Sequence, residues 1–421
     1  MLQHKNRLKY FFSFLKGQLL LQIINVVTGF FLLRWLPISE QAIFGVAFSF
    51  QTLILSVSDL GFTGSIIALV GTKWNDKIVV GSYVAAARKL RSYFFGASLV
   101  LSCIIIPFIA KKQNWGLVQV LEIFTPLLLG VFWQANCSVY DSVLVMHKRL
   151  SELFQPQLIM AGVKLVAAFL LFKIGIISAL CIISLNALAY LSNGMTYKRI
   201  AQQYISIDIE NSTHEHIAEI FRYIRPLLPS IIFNALNGQI QILLISLFGK
   251  STGIAEIAAL GKLSQFFLFF NSFNSLVIAP FIAKSDKTAL LKKYLTVFIG
   301  ALCIGGGILV FTYFFPSFLK SILGKKFTYL NNDYIFLLVL SSTIGYWSVT
   351  LWTMSSVLKW VYWWASISYI VIIVLIEILS IAFLNISTTM GVLEMGLLVN
   401  IGVLLLQLSI SMVGFKKGAY V

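Results

Sequence analysis

The sequence predicts an all-α polytopic membrane protein of about 12 transmembrane helices, in two pseudo-symmetric six-helix lobes around a central cavity. Of the 421 residues, 59% are hydrophobic and only 11% are Asp, Glu, Lys or Arg; soluble domains have roughly 45–50% and about 25%. A mean hydropathy of +0.90 cannot be hidden in one soluble core, whose surface would still need charges that this chain lacks. Polar residues also recur in matching register in the two halves. These observations exclude a soluble enzyme and a large soluble domain on an anchor.

In chain order, apolar stretches place spans near 11–36, 42–70, 92–110, 117–145, 155–172 and 175–197, then 226–248, 254–283, 294–315, 334–357, 361–384 and 390–415. The first follows Lys5, Arg7 and Lys9 as a signal peptide would. It is too long for an h-region and no small-residue cleavage site follows, so it reads as an uncleaved span. The fifth is short and contains Lys164; the ninth carries Gly305-Gly306-Gly307, which permits close packing or a bend. Trp347, Trp352, Trp360, Trp363 and Trp364 bracket the ends of spans ten and eleven. An interfacial belt accounts for them, with stacking on a sugar as the other reading. The longest polar stretch, 198–225, reads as a cytoplasmic linker between lobes 1–197 and 226–421. Within it, Ser212-Thr213-His214-Glu215 offers a capping box for a short amphipathic helix ending before Pro226.

The net charge of +17 comes from 32 Lys and Arg against 15 Asp and Glu. In a soluble protein this would point to nucleic acid; here basic residues retained in cytoplasmic loops explain it, and no nucleic-acid partner is expected. With the N-terminus inside, the cytoplasmic segments hold most of the basic residues, among them Lys73, Lys77, Arg88, Lys89, Arg91, Lys148, Arg149, Lys284 and Lys417. The outer segments hold few, such as Arg34, Lys111 and Lys112. Both termini are therefore expected in the cytoplasm. Cys103, Cys137, Cys181 and Cys303 lie in apolar segments without a CxxC pair and read as small core residues. His214-Glu215-His216 has no further clustered ligands, so no metal site is expected. There is no Walker A motif and no G-x-S-x-G.

Gln18, Gln22, Asn25 and Gly29 occupy one face of the first span at spacings of four, three and four. Ser230, Asn234, Asn237 and Gln241 repeat those spacings in the seventh span, at one constant offset close to half the chain. The same offset pairs Ser39 with Ser251 and Ala47 with Ala259. Polar groups at this depth need a partner or a wet cavity. They either pair helices within each half or line a cavity shared by the two lobes, the repeat logic of alternating-access transporters.

Charges inside spans cost about 2.5–3.5 kcal/mol on insertion scales and should face protein or water. Lys262, with Gln265, Asn271, Ser272 and Asn274 nearby, stands where the repeat places Phe50 in the first half. It reads as a cavity cation, or as a snorkelling or ion-paired lysine. Arg34 at the outer end of span one is an interfacial residue or an anion contact, and Lys164 is a further candidate cation. Asp59, Asp141 and Glu256, with Glu377 and Glu394, are carboxylates at depth that are structural or serve coupling or gating.

The stretch Thr28-Gly-Phe-Phe-Leu-Leu-Arg-Trp-Leu-Pro-Ile-Ser-Glu-Gln-Ala-Ile-Phe-Gly45, followed by Ser58-Asp-Leu-Gly-Phe62, resembles the opening of bacterial polysaccharide flippases, the Wzx-like O-antigen and capsule translocases of the MOP superfamily. Gly253-Ile-Ala-Glu-Ile-Ala-Ala-Leu-Gly-Lys-Leu263 with Pro280 resembles the signature of the second half, and Phe315 to Tyr329 resembles the loop before span ten. Glu256 departs from the pattern, which more often has a tyrosine or another neutral residue there. The resemblance implies a bacterial inner-membrane protein, not an enzyme. It would move undecaprenyl-pyrophosphate-linked oligosaccharide from the cytoplasmic to the periplasmic leaflet, without a cofactor and with proton or sodium coupling left open. Polysaccharide polymerase and chain-length proteins would be its partners, beside membrane lipids. On this reading Arg34, Lys262 and Lys164 suit pyrophosphate. Gln22, Asn25, Asn234, Asn237, Gln241 and Gln265 suit sugar, and Arg88, Lys89, Arg91, Lys148 and Arg149 would first attract the head group. A MATE-like cation-coupled multidrug exporter is the main alternative and needs a carboxylate-based cation site. A polymerase would need a large outer loop, which the spacing does not provide, and hydropathy alone leaves a small-solute symporter open.

Overall fold

The computed structural model describes residues 2–206, 213–225, 228–283, 287–360 and 362–416. Every regular element among them is helical. Among the described residues, 11 helices are long and apolar enough to cross a membrane, or 12 if one bent pair counts as a span. By helix length and composition this is a multi-pass membrane protein. The chain divides into two compact units, Met1–Leu247 and Phe248–Val421.

The first unit begins with α1 (Leu2–Trp35), which packs on α7 (Leu150–Ile174). The second span is broken into α2 (Ile38–Asp59) and α3 (Phe62–Val70). Leu60 and Gly61, at φ +38° and +84°, form the break in left-handed backbone. α4 (Lys77–Gln113) starts well before the sequence-predicted residue 92 because Asp76 caps it, accepting from the Ile78 and Val79 amides at 3.0 and 3.2 Å. Its polar first half stays helical because α2, α3 and α5 pack around it. The fourth span divides at Ser138–Val139 into α5 (Leu117–Cys137) and α6 (Tyr140–Met146). α7 is longer than hydropathy indicates and is closed by Gly175 at φ +82°; α8 (Ala179–Ala201) follows.

Two features tie the polar middle of the chain to this unit. The Ser206 amide donates to the Lys77 carbonyl at 2.9 Å, alongside Gly81, where a Cβ would collide with the Ser206 carbonyl. The amphipathic helix is α9 (Thr213–Ile224). Its Ile217, Ile220 and Ile224 pack on a core that includes Val80, Tyr83, Val84 and Ala87, and the Tyr83 hydroxyl donates to Glu219 at 2.5 Å. Ser212, Pro226, Lys284 and Lys417 lie outside the described residues, as do the side chains of Lys5, Arg7, Lys9, His214, Ser230, Ser272 and Pro280. The seventh span is a bent pair, α10 (Leu228–Asn237) and α11 (Ile240–Phe248), at 48° across Gly238–Gln239.

The second unit opens with a broken eighth span: α12 (Ser251–Ser264), α13 (Phe267–Phe273), a π-helical turn over 274–278, and α14 (Ala279–Ala283). It continues with α15 (Lys287–Phe314), α16 (Pro316–Leu323), α17 (Asn332–Val357), α18 (Trp363–Phe383) and α19 (Thr389–Lys416). Neutral hydrogen bonds join its helices: Asn274 Nδ2 donates to Thr350 at 2.8 Å, Asn400 Nδ2 to Ser341 at 2.9 Å, and the Tyr294 and Ser411 hydroxyls meet at 2.6 Å.

Two readings of single residues are corrected. Cys103 and Cys303 are exposed on their helices, so these thiols are lipid-compatible apolar surface; only Cys137 is buried. Trp360 is 1% exposed and packs on Tyr294 and Phe415 in the core of the second unit, whereas Trp363 is 80% exposed as a belt residue should be.

Candidate functional site

The two halves share one device. In the first unit Glu40, in the opening turn of α2, accepts from the Ala179 amide at the start of α8 at 2.7 Å. In the second unit Glu256 of α12 accepts from the hydroxyl of Thr389, the first residue of α19. Each carboxylate sits at the positive end of a helix dipole and ties the second helix of its half to the sixth. Glu256 also hydrogen-bonds Tyr329. Its carboxylate is therefore engaged in a structural clasp.

The breaks in spans two and four converge on a buried charge cluster in the first unit. Arg91 of α4 is 3% exposed. Its Nη1 pairs with Asp59 Oδ1 at 2.9 Å and donates to Thr63 Oγ1 at 2.6 Å, while Nη2 donates to Ser138 Oγ at 2.6 Å. Thr63 in turn donates its hydroxyl to Asp59 at 2.6 Å. One guanidinium thus bridges the α2–α3 break to the α5–α6 break. A cavity of about 340 Å³ opens on this network, lined by Leu55, Ser56, Asp59, Thr63, Arg91, Gln134, Ser138 and Asp141.

Arg91 Nε, Gln134 Oε1 and Asp141 Oδ1 are buried there without a hydrogen-bond partner. Such groups are costly unless a ligand, water or proton satisfies them. With both carboxylates ionised, the cluster carries one negative charge beyond what Arg91 balances. Asp59 and Asp141, read from sequence as coupling or gating candidates, therefore share one cavity.

Arg91 is not the loop cation that the sequence suggested, because α4 begins early enough to carry it into the helix bundle. Its neighbours behave differently: Arg88 and Lys89 are exposed, and Arg88 Nε donates to Asn136 at 3.3 Å. Lys148 is exposed at φ +58°, and Arg149 pairs with Glu152 at 3.2 Å. Sequence reasoning missed Thr63, Gln134 and Ser138. Gln134, Ser138 and Asp141 carry a visible signal, since their spacing of four and three is the one that marks the polar face of α1.

On α1, Gln18, Asn25 and Arg34 are exposed at the surface of their unit and Gln22 is half-buried. Asn234 is exposed on α10, while Asn237 and Gln241 are half-buried and flank the bend to α11. Exposed amides on spanning helices are unsuited to a lipid-facing surface. Lys164 lies partly exposed in the middle of α7. Lys262 occupies the last turn of α12, just before the break at Gln265–Phe266, and both Lys262 and Gln265 are partly exposed. Among the described residues no three His, Cys, Asp or Glu side chains converge as metal ligands would.

No family model matches the sequence, and no curated protein matches it. Solved structures do. The lipid II flippase MurJ in an inward closed conformation superposes with a TM-score of 0.70 at 14% identity, over 96% of this chain and 89% of that one. An inward-facing multidrug resistance MATE family transporter of the MOP superfamily gives 0.65 at 14% identity over 94% of each chain. The eukaryotic MATE transporter AtDTX14 gives 0.57 at 16% identity, over 97% and 98%. The fold is that of the MATE and MurJ transporters.

Proposed function

We propose that the protein translocates undecaprenyl-pyrophosphate-linked oligosaccharide from the cytoplasmic to the periplasmic leaflet, for O-antigen or other surface polysaccharide assembly. The observation that carries this reading is the row of amides along α1 and flanking the α10–α11 bend, of which Gln18, Asn25 and Asn234 are exposed and Gln22, Asn237 and Gln241 half-buried, in a fold whose similar structures include the lipid II flippase MurJ. Neutral amides hydrogen-bond sugar hydroxyls, while a polyprenyl tail stays in lipid and needs no polar path. Arg34 and Lys262 supply charge for pyrophosphate, with Lys164 further along the first unit. Discontinuous helices with polar residues at the break are where such transporters hold their cargo. The two lobes alternate access, and the Asp59–Arg91–Asp141 cluster acts in gating or coupling. Nothing in this scheme requires a covalent change in the cargo.

A MATE-like exporter coupled to protons or sodium is the second reading. It is favoured by the same cluster, whose two carboxylates and unsatisfied Asp141 oxygen suit a small cation. Thermal unfolding of the detergent-solubilised protein separates the two. Ligand at 100 times its dissociation constant stabilises by about 2.7 kcal/mol. The lipid-linked saccharide is expected to raise the unfolding temperature where hydrophobic drug cations do not, and the reverse pattern selects the exporter.

A further inference from the structure

An aromatic and basic cassette lies outside the site described above, on the side of the first unit where spans two, four and six end. His147, after α6, stacks on Tyr204 with ring centroids 4.3 Å apart. Trp74, after α3, meets the same imidazole edge-on at 5.3 Å and is 40% exposed. The Arg149 guanidinium lies 5.9 Å from the Tyr204 ring centroid, within the range of a cation–π contact. The Ser206–Lys77 backbone bond draws the chain after Tyr204 against the start of α4.

The charge here is unbalanced. Lys73, Lys77, Lys148 and Arg149 are all exposed. Of the nearby carboxylates, Asp76 is used in capping α4 and Glu152 pairs with Arg149. His147 reports the excess: its pKa is pushed below the ordinary imidazole value, first by burial and then by the Arg149 and Lys77 charges. The platform is thus a neutral imidazole in contact with two aromatic rings, rimmed by cations. Aromatic rings beside lysine and arginine at the ends of membrane spans are the composition of a lipid headgroup contact.

We propose that this cassette is a binding site for the phosphate headgroup of a resident anionic phospholipid. Arg149 and Lys77 supply the charge, and Trp74, His147 and Tyr204 supply the platform. The site shares Arg149 with the cytoplasmic entry cations expected from the sequence, but it uses none of the amides or carboxylates assigned to translocation.

The test titrates the imidazoles of the full-length protein by NMR, in nanodiscs of phosphatidylcholine with or without phosphatidylglycerol. An anion beside His147 favours its charged form. Phosphatidylglycerol should raise the His147 midpoint by about one pH unit. The Arg149→Gln/Lys77→Gln double variant should lose the shift, and its unfolding temperature verifies that it is folded. Equal midpoints in the two lipids would overturn the proposal, as would a shift that survives in the folded double variant. An equal rise with inorganic phosphate in phosphatidylcholine discs would instead identify a site for soluble phosphate. A rise produced only by a pyrophosphate-linked polyprenyl lipid would make the cassette part of the substrate path, and the resident-lipid assignment would fall.

Discussion

Arg91 and Asp59 meet 2.9 Å apart at the point where the second span breaks, and the same guanidinium reaches Ser138 where the fourth span breaks. A helix interior would satisfy its own backbone; a break exposes polar groups that side chains must then meet. Here one buried cation bonds side chains at both breaks, Asp59 and Thr63 at one and Ser138 at the other, and so joins three spans.

Removing one partner of a buried pair costs about 3–5 kcal/mol, since the other charge is stranded. Asp59 is 39% exposed, so solvent screening places Arg91→Gln near the lower end, at about 3 kcal/mol. Asp59→Asn in the same chain should recover part of that loss. A double-mutant cycle on thermal unfolding measures the coupling, and purely additive penalties would contradict the pairing.

Gly61 and Gly64 stand three residues apart and should respond oppositely to alanine. Gly61 holds φ +84° at the α2–α3 break, where a Cβ costs about 1–2 kcal/mol. Gly64 is helical with nothing within 4 Å of an added Cβ, so Gly64→Ala should gain roughly 0.5–1 kcal/mol from chain entropy. Unfolding temperatures of the two variants provide the comparison.

Tyr83→Phe removes the bond that pins α9 to α4. A hydrogen bond to a charged acceptor contributes about 1.5–3 kcal/mol. Amide exchange across Thr213–Ile224 should then accelerate by at least roughly tenfold, while the exchange of α19 stays unchanged.

Tyr329 supplies a pH signature for the second unit. Burial first, then the charge and hydrogen bond of Glu256, push its phenol up to about 12. A raised folded pKa means stability fully present below the unfolded value of about 10 and lost as pH climbs through about 12. Alkaline melting curves should weaken in that window for the wild type, and Tyr329→Phe should remove this component of the loss.

Hydropathy made the membrane class legible, and i, i+3, i+4 spacing picked out the polar residues of α1 and α10–α11, although the latter span bends between Asn237 and Gln241. The breaks were hidden. A window average runs through Leu60–Gly61 and through Ser138–Val139; left-handed backbone marks the first break, whereas Ser138 and Val139 keep right-handed helical dihedrals and the second shows only as an interruption of the helix. Arg91 was misplaced for a related reason: hydropathy treats a charged helix end as a loop, although Asp76 had already started the helix. Glu256 reads from sequence as either a structural or a coupling carboxylate, and its bond to Thr389, 133 residues away in sequence, lies beyond the reach of local pattern.

The most direct test of the proposed function is leaflet exchange of a fluorescent undecaprenyl-pyrophosphate oligosaccharide in proteoliposomes. Wild-type protein is compared with an Asn25→Leu/Asn237→Leu variant that retains its unfolding temperature. Translocation should require the protein and fall at least about tenfold in the variant, the equivalent of about 1.4 kcal/mol in transition-state stabilisation. Exchange no faster than in protein-free vesicles, across several glycan donors, would contradict the flippase reading.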